Sequence, residues 1–411
     1  MASPRDLALA AFFGASSATA LAVALMRRYL RDELRAAVLF HSPVDEQHPE
    51  DQRLLQEVKL LMRDYWPHPI LEFSGYVSTM YSSFWAVMPS MQKLGHMEVL
   101  DLSDGGIMSL HWYEPPLIDK GKVVVILPGL NNDSRTSFIQ SAMRHFRSNG
   151  FQAVALNYRG LAGLELKTSK VACADCFRDM PDVEAHLAKV CPGAEFSAVG
   201  FSMGGSILLR HLGAVGAKTV FSSAVTVAAP VDTEAVVTSF SSSARKRLMS
   251  FIMATGVKLL MIHELRRSQF AHLLNMKKLL SARSLTEIDE AAICPLHGYV
   301  NAADYHRAIN PRHHLDNIAI PTLVVHAEDD PVISYTTMPF QVLRRNPRIY
   351  VAVTKRGGHI GWGSGGLGAG AWTDAMAAHF MQATSSTRSR NIEGTGAVGT
   401  EDRPFPLTSA L

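Results

Sequence analysis

Six short, uninterrupted apolar runs limit most strongly how this chain can fold. They are "VVVILPG" at 123–129, "QAVALN" at 152–157, "EFSAVG" at 195–200, "AVTVAAP" at 224–230, "PTLVVHAE" at 321–328 and "IYVAVTK" at 349–355. They are short for helices and lack the alternation of a strand with one wet face, so each reads as a strand buried on both sides. Helical patterns separate them, at 135–148, 178–190, 203–214 and 371–383. Strand and helix in alternation imply a mostly parallel sheet covered by helices, an α/β architecture. Ahead of these, "MEVLDLSDGGIMSLHWYE" at 97–114 sets two partly alternating runs around Asp104-Gly105-Gly106. This is the pattern of a β-hairpin, which adds antiparallel strands at one edge. Residues 231–317 break the alternation with amphipathic pieces such as "FIMATGVKLLMIHEL" at 251–265. The interval reads as a helical cap over the C-terminal edge of the sheet, although ordinary packing helices would show the same apolar inner face.

Composition bounds what such a chain does. With 47% hydrophobic and 19% charged residues, the 411-residue chain has ample core. A net charge of +3 with no basic stripe argues against nucleic acid as a partner. Of the four cysteines, Cys173 and Cys176 form a lone C-x-x-C, and Cys191 and Cys294 supply no matching second pair. A zinc or redox role therefore has little support, no cofactor is expected, and four cysteines do not make a disulfide framework. The N-terminus differs from the rest. "LALAAFFGASSATALAVALM", 7–26, has no charged residue and the length of a membrane-spanning helix, and Arg27, Arg28 and Arg31 follow it. A signal anchor is the favoured reading, with the main body on the cytosolic side by the positive-inside rule. A cleaved signal peptide ending near Ala18-Thr-Ala20 and an organelle-targeting segment are the alternatives. Residues 27–95 look helical and rich in aromatic side chains.

One motif sits where chemistry needs it. Gly200-Phe201-Ser202-Met203-Gly204 fits G-x-S-x-G, directly after an apolar strand and at the start of a helical stretch. A nucleophilic serine held on a sharp strand-to-helix turn requires that setting. A serine hydroxyl needs a base to take its proton, and the base needs an orienting carboxylate. In chain order, Asp329-Asp330 follow the strand at 321–328, and His359 follows the strand at 349–355. Both lie just past strand C-termini, where open α/β sheets place their ligands. Asp330 is the chosen acid, with Asp329 as the alternative. For the oxyanion of acyl transfer, the donors expected are the backbone amides of Met203 and of Leu130, in the loop "LPGLNNDSR" at 127–135. The same loop can simply cap the next helix through Asn132, Asp133 or Ser134.

Taken in order, "LPGLNNDS", "NYRG" at 157–160, "GFSMGG", "AEDDP" and "RGGHIGW" resemble subfamily four of the α/β-hydrolase-domain proteins. The resemblance covers roughly residues 60–385. It includes Glu287-Ile288-Asp289 and Tyr305 to Pro311, which look like that family's elements at the exit of the cap. It implies an α/β-hydrolase fold divided as follows: membrane anchor 1–30, helical linker packing on the hydrolase domain 31–95, core 96–230 and 318–384, cap 231–317 and disordered tail 385–411. It also implies a serine esterase with Ser202 as nucleophile, Asp330 as acid and His359 as base. The substrate would be a medium-chain acyl ester or a phospholipid, and the protein would be held at an endomembrane by its N-terminal helix. Transfer of the acyl group to an alcohol is an alternative outcome of the same chemistry. A catalytically idle, membrane-tethered binding protein is an alternative of another class. Relatives usually read P-G-L-T-G-G-S where this chain has Asn131-Asn132-Asp133-Ser134, a loss of glycines that bears on the loop geometry and that could place the Asp133 charge near the site.

Overall fold

In a computed structural model, the described residues are 38–41, 49–63, 65, 67, 72–87, 95–114, 121–363 and 371–395. The apolar stretch 7–26, read as a membrane anchor, lies outside them. In chain order the strands are β1 (Val38–His41), β2 (Met97–Asp101), β3 (Ile107–Trp112), β4 (Lys122–Leu127), β5 (Phe151–Asn157), β6 (Glu195–Phe201), β7 (Phe221–Val227), β8 (Thr322–Ala327) and β9 (Ile349–Thr354). They form one nine-stranded sheet in the order β1-β9-β8-β7-β6-β4-β5-β3-β2. The six strands β4–β9 run parallel, and each corresponds to one of the six apolar runs. The hairpin β2–β3 turns at Gly105 (φ +82°) and pairs antiparallel with β5.

The apolar runs are continuous because both faces of the sheet are covered. In β4, Val123, Val125 and Leu127 pack into one core and Val124 and Ile126 into the other. The long elements that cover the sheet are helices α1 (Pro49–Arg63), α2 (Gly75–Val87), α3 (Ser137–Ser148), α4 (Met180–Val190) and α5 (Met203–Val215). The first core takes Val183 and Leu187 of α4 and Ile207, Leu208 and Leu212 of α5. The second takes Leu54 and Val58 of α1 and Ile139, Met143 and Phe146 of α3. The interval 231–317 holds no strand; it contains helices α6 (Thr233–Ser239), α7 (Ala244–Arg267), α8 (Met276–Ser281), α9 (Leu285–Ile288) and α10 (Ala302–Ala308). Helix α9 runs into a π-helical stretch, Asp289–Ile293. Helix α7 is long and apolar enough to cross a membrane by length and composition, yet it lies within this interval.

Two expectations need correction. The stretch 31–95 is not wholly helical, because Val38–His41 pairs antiparallel with β9, Val38 opposite Val353. Four residues are too few to show a period of two, which is why this strand escapes a pattern search. The last helix, α11, spans Ala371–Thr395 and so runs into the stretch read as disordered from 385. Ser and Thr disfavour a helix only mildly, and Trp372, Met376 and Phe380 pin its first turns into the second core. Phe380 is fully buried with its ring 5.8 Å from that of Tyr350 on β9. Phe380→Ala should therefore lower unfolding free energy by about 3–5 kcal/mol, measured as a reduced urea midpoint with unchanged slope.

Candidate active site

The strand order reverses at β4, which has β5 on one side and β6 on the other. Chain segments leaving β4 and β6 therefore diverge and open a crevice at their C-terminal ends, the usual ligand site of such sheets. Ser202 stands in that crevice between β6 and α5, with φ +49° and ψ −117°. This conformation is strained for any residue with a side chain. The neighbouring glycines make it possible. A Cβ on Gly200 would lie against the Gly204 carbonyl, and a Cβ on Gly204 would overlap the Leu127 and Pro128 carbonyl oxygens at the end of β4. The Ser202 amide donates to the Val227 carbonyl at 2.8 Å, which locks the turn to β7.

Three side chains form one hydrogen-bonded chain. Asp330 Oδ2 lies 2.8 Å from His359 Nδ1, and His359 Nε2 lies 2.9 Å from Ser202 Oγ. An ionised carboxylate only accepts, so Nδ1 carries the ring proton and Nε2 is free to accept the serine hydroxyl. Asp330 is fully held, since its other oxygen accepts the amides of Val332 (2.8 Å) and Ile333 (2.9 Å). Burial works against its charge, but the adjacent His359 and these amides outweigh it and hold the carboxyl below its ordinary range. Asp329 points elsewhere. It accepts the Gly358 amide at 2.9 Å and faces Arg356 at 3.4 Å, so it braces the loop that carries His359.

That loop has a second brace that sequence patterns did not single out. Helix α2 presents Ser78, Thr79 and Ser82 to it. Thr79 Oγ1 accepts the His359 amide at 2.8 Å, Ser82 Oγ donates to the His359 carbonyl at 2.9 Å, and Ser78 Oγ donates to the Gly357 carbonyl at 2.9 Å. Gly358 (φ +55°) packs so closely on α2 that a Cβ there would press on the Gly75 carbonyl and the Thr79 hydroxyl. The available signal was the spacing of residues 78, 79 and 82, which puts three hydroxyl side chains on one face of a helix rich in aromatic and apolar residues.

The facing loop also takes a definite form. Asn131 adopts φ +57°, and no other residue of 130–134 has positive φ. Asn tolerates the left-handed region better than most side chains, so the missing glycines leave the backbone unhindered. Tyr158 donates its hydroxyl to the Pro128 carbonyl at 3.1 Å, which fixes the start of the loop. Asp133 is paired with Arg135 at 2.6 Å and lines a separate crevice with Arg159 and Leu161, not the space around Ser202. Leu130 and Met203 border the same cavity as Ser202. It comprises about 930 Å³ of empty space, part of it open to solvent. Val236, Phe240, Met253 and Val257 of the cap interval close it with apolar surface. Its polar lining includes Asp289 and His306, joined by a 2.8 Å hydrogen bond. Burial pushes the Asp289 carboxyl up, although His306 opposes the shift. Among the described residues no cluster of His, Cys, Asp and Glu is arranged to hold a metal ion.

Comparison with known proteins finds a matching family model and several similar proteins. The family model Hydrolase_4, described as serine aminopeptidase, S33, matches residues 119–348. The mouse protein phospholipase ABHD3 is 30% identical over 271 residues, covering 64% of this chain and 66% of that protein, just under two thirds of its length. The human protein of the same name is 28% identical, covering 75% of this chain and 76% of its own. Human monoacylglycerol lipase ABHD2 is 24% identical, covering 76% and 78%. Among solved structures, the Pyrococcus furiosus esterase Pf2001 aligns with 70% of this chain and 89% of its own at 16% identity, with a TM-score of 0.46.

The packing around Ser202 makes a direct prediction. Gly204→Ala forces backbone atoms of β4 and α5 apart, and neither can yield as a side chain would. It should destabilise the fold by about 3 kcal/mol, the upper end of ordinary overpacking. Gly256→Ala, on the cap helix where nothing lies within 4 Å of the new Cβ, should be neutral or mildly stabilising. Urea denaturation of both variants checks the contrast.

Proposed function

The chain belongs to the Hydrolase_4 (serine aminopeptidase, S33) family, and from that premise we propose that it is a lipid-acting serine hydrolase that cleaves medium-chain acyl esters, including phospholipids, through Ser202, His359 and Asp330. The observation that carries this reading is the hydrogen-bonded chain from Asp330 through His359 to Ser202, opening on an apolar cavity. In this mechanism His359 Nε2 takes the Ser202 proton as Oγ attacks the ester carbonyl. The Met203 amide, at the first turn of α5 where helix N–H groups lack intrahelical partners, and the Leu130 amide stabilise the oxyanion. The imidazolium then protonates the departing alcohol. Asp330 holds the ring in the productive tautomer and stabilises its charged form. Water enters, is deprotonated by His359 and releases the acid from the acyl-enzyme. The acyl chain occupies the space between Met203, Val236, Phe240 and Val257.

The approach to a lipid surface is part of the proposal. Leu248, Phe251, Ile252, Leu259 and Leu260 of α7 are all exposed apolar side chains on the helix that covers the cavity. Together with the apolar stretch 7–26 they support a protein tethered to a membrane with its cap toward the bilayer.

A fluorophosphonate probe should label the parent protein and leave Ser202→Ala unlabelled. Folded parent protein that resists the probe would refute the assignment. Asp330→Asn should retain the fold and lower turnover of a p-nitrophenyl ester by roughly 10³–10⁴, whereas an idle binding protein would show no turnover to lose. Across a series of p-nitrophenyl esters, kcat/KM should rise roughly fourfold per methylene, as expected for about 0.8 kcal/mol of buried chain each, until the cavity is filled. A flat profile from acetyl to decanoyl would exclude the acyl-chain role of the cavity.

A further inference from the structure

Cys173 lines the same cavity as Ser202, yet the ester chemistry makes no use of it. Its sulfur lies 3.4 Å from His297 Nε2, a nitrogen that also accepts the Val171 amide at 3.1 Å and lies 3.2 Å from the Val171 carbonyl. The other ring nitrogen, Nδ1, faces Asp175 Oδ2 at 3.3 Å. Asp175 is itself fixed, accepting from the Tyr299 hydroxyl at 2.6 Å and from Arg178 Nε at 2.9 Å. A thiol, an imidazole and a carboxylate thus stand in line, and of the three residues Cys173 borders the cavity while His297 and Asp175 do not. Tyr305, which also borders the cavity, accepts the Ala174 amide on its hydroxyl at 3.3 Å, next to this cysteine in the chain.

The remaining cysteines have no such setting. Cys176 has only a long contact, 3.9 Å, to the Val171 carbonyl, and burial pushes its thiol up. Burial likewise raises Cys191, and it raises Cys294 to about 11 with Glu290 and Asp289 adding to the shift. None of the three borders the cavity.

We propose that Cys173 is a second nucleophilic site of this protein, one that captures lipid-length electrophiles bearing an α,β-unsaturated carbonyl when they enter the cavity. The ligand class follows from the surroundings. The sulfur is reached through an apolar space, which selects an alkyl chain, and a thiolate is a soft nucleophile suited to the β-carbon of an enal. The step needs no leaving group. His297 Nε2 takes the thiol proton as the sulfur forms a bond to the β-carbon, the carbon–carbon π pair shifts to the α-carbon, and the same proton count is restored when the α-carbon is protonated to complete the adduct. Electrostatics agree with the geometry. Burial opposes charge on His297, but the Cys173 sulfur and the Asp175 carboxylate outweigh it and push the imidazole up to about 10. An imidazole raised in this way is a strong base for the neighbouring thiol proton. The alkyl-chain preference rests on the reading of the cavity as an acyl site; the nucleophile itself does not.

The test is adduct mapping by mass spectrometry on the full-length protein treated with trans-2-nonenal at pH 7. One adduct is expected, on Cys173, formed roughly tenfold faster than on the same cysteine in urea-unfolded protein. His297→Gln and Asp175→Asn should each slow it severalfold, and two variants guard against one that misfolds. Excess decanoate should slow it by competing for the cavity. Ser202→Ala should form the adduct at the parental rate, so loss of ester chemistry and loss of this site read out separately. Adducts confined to Cys176, Cys191 or Cys294, no adduct at all, or an undiminished rate in both His297→Gln and Asp175→Asn would overturn the proposal.

Discussion

The turn at Ser202 exists only because backbone atoms of β4, β6 and α5 approach more closely there than side chains allow. Gly200 and Gly204 leave that space empty, and the carbonyls of Leu127 and Pro128 fill it. The serine is forced to φ +49° and projects from the tip of the turn. The rest of the site is arranged around this point. The reversal of strand order at β4 provides the crevice, β8 and β9 end on one side of it, and the loop after β4 ends on the other. Strain in the turn is sustained by a sheet whose two faces are both covered by packed helices.

Much of this was legible from residues alone. Strands buried on both faces must be apolar throughout, so β4–β9 announced themselves, with edges displaced by at most three residues. The order Ser202, Asp330, His359 was also readable, because each follows a strand at the same end of a parallel sheet. The choice between Asp329 and Asp330 was not. Both occupy one turn, and only its register decides that Asp330 meets the imidazole while Asp329 meets the Gly358 amide. The strand Val38–His41 was hidden by its brevity. The role of Ser78, Thr79 and Ser82 was hidden because it depends on contacts across roughly 280 residues of chain, which no local pattern records.

The cavity shows a different balance. Most of its wall is apolar, yet Asp289 and His306 are kept in it as a hydrogen-bonded pair. Taking such groups out of water costs several kcal/mol per ion and is recovered only when geometry is good. Asp289 begins the π-helical stretch, where the backbone is widened by one residue per turn. The polar spot in an otherwise oily wall thus coincides with the point where the helix leaves regular α geometry.

The clasp between α2 and the His359 loop has a consequence for modularity. The stretch matched by the family, 119–348, stops short of His359 and begins well after Thr79. The proposed base is therefore supplied by one flank of that stretch and held in place by the other. Transplanting the central stretch alone would carry the serine and the acid but neither the imidazole nor its brace. The leading segment that carries Thr79 is therefore as much a part of the proposed site as the sheet is, and a fragment that begins after it would leave the His359 loop without its clasp.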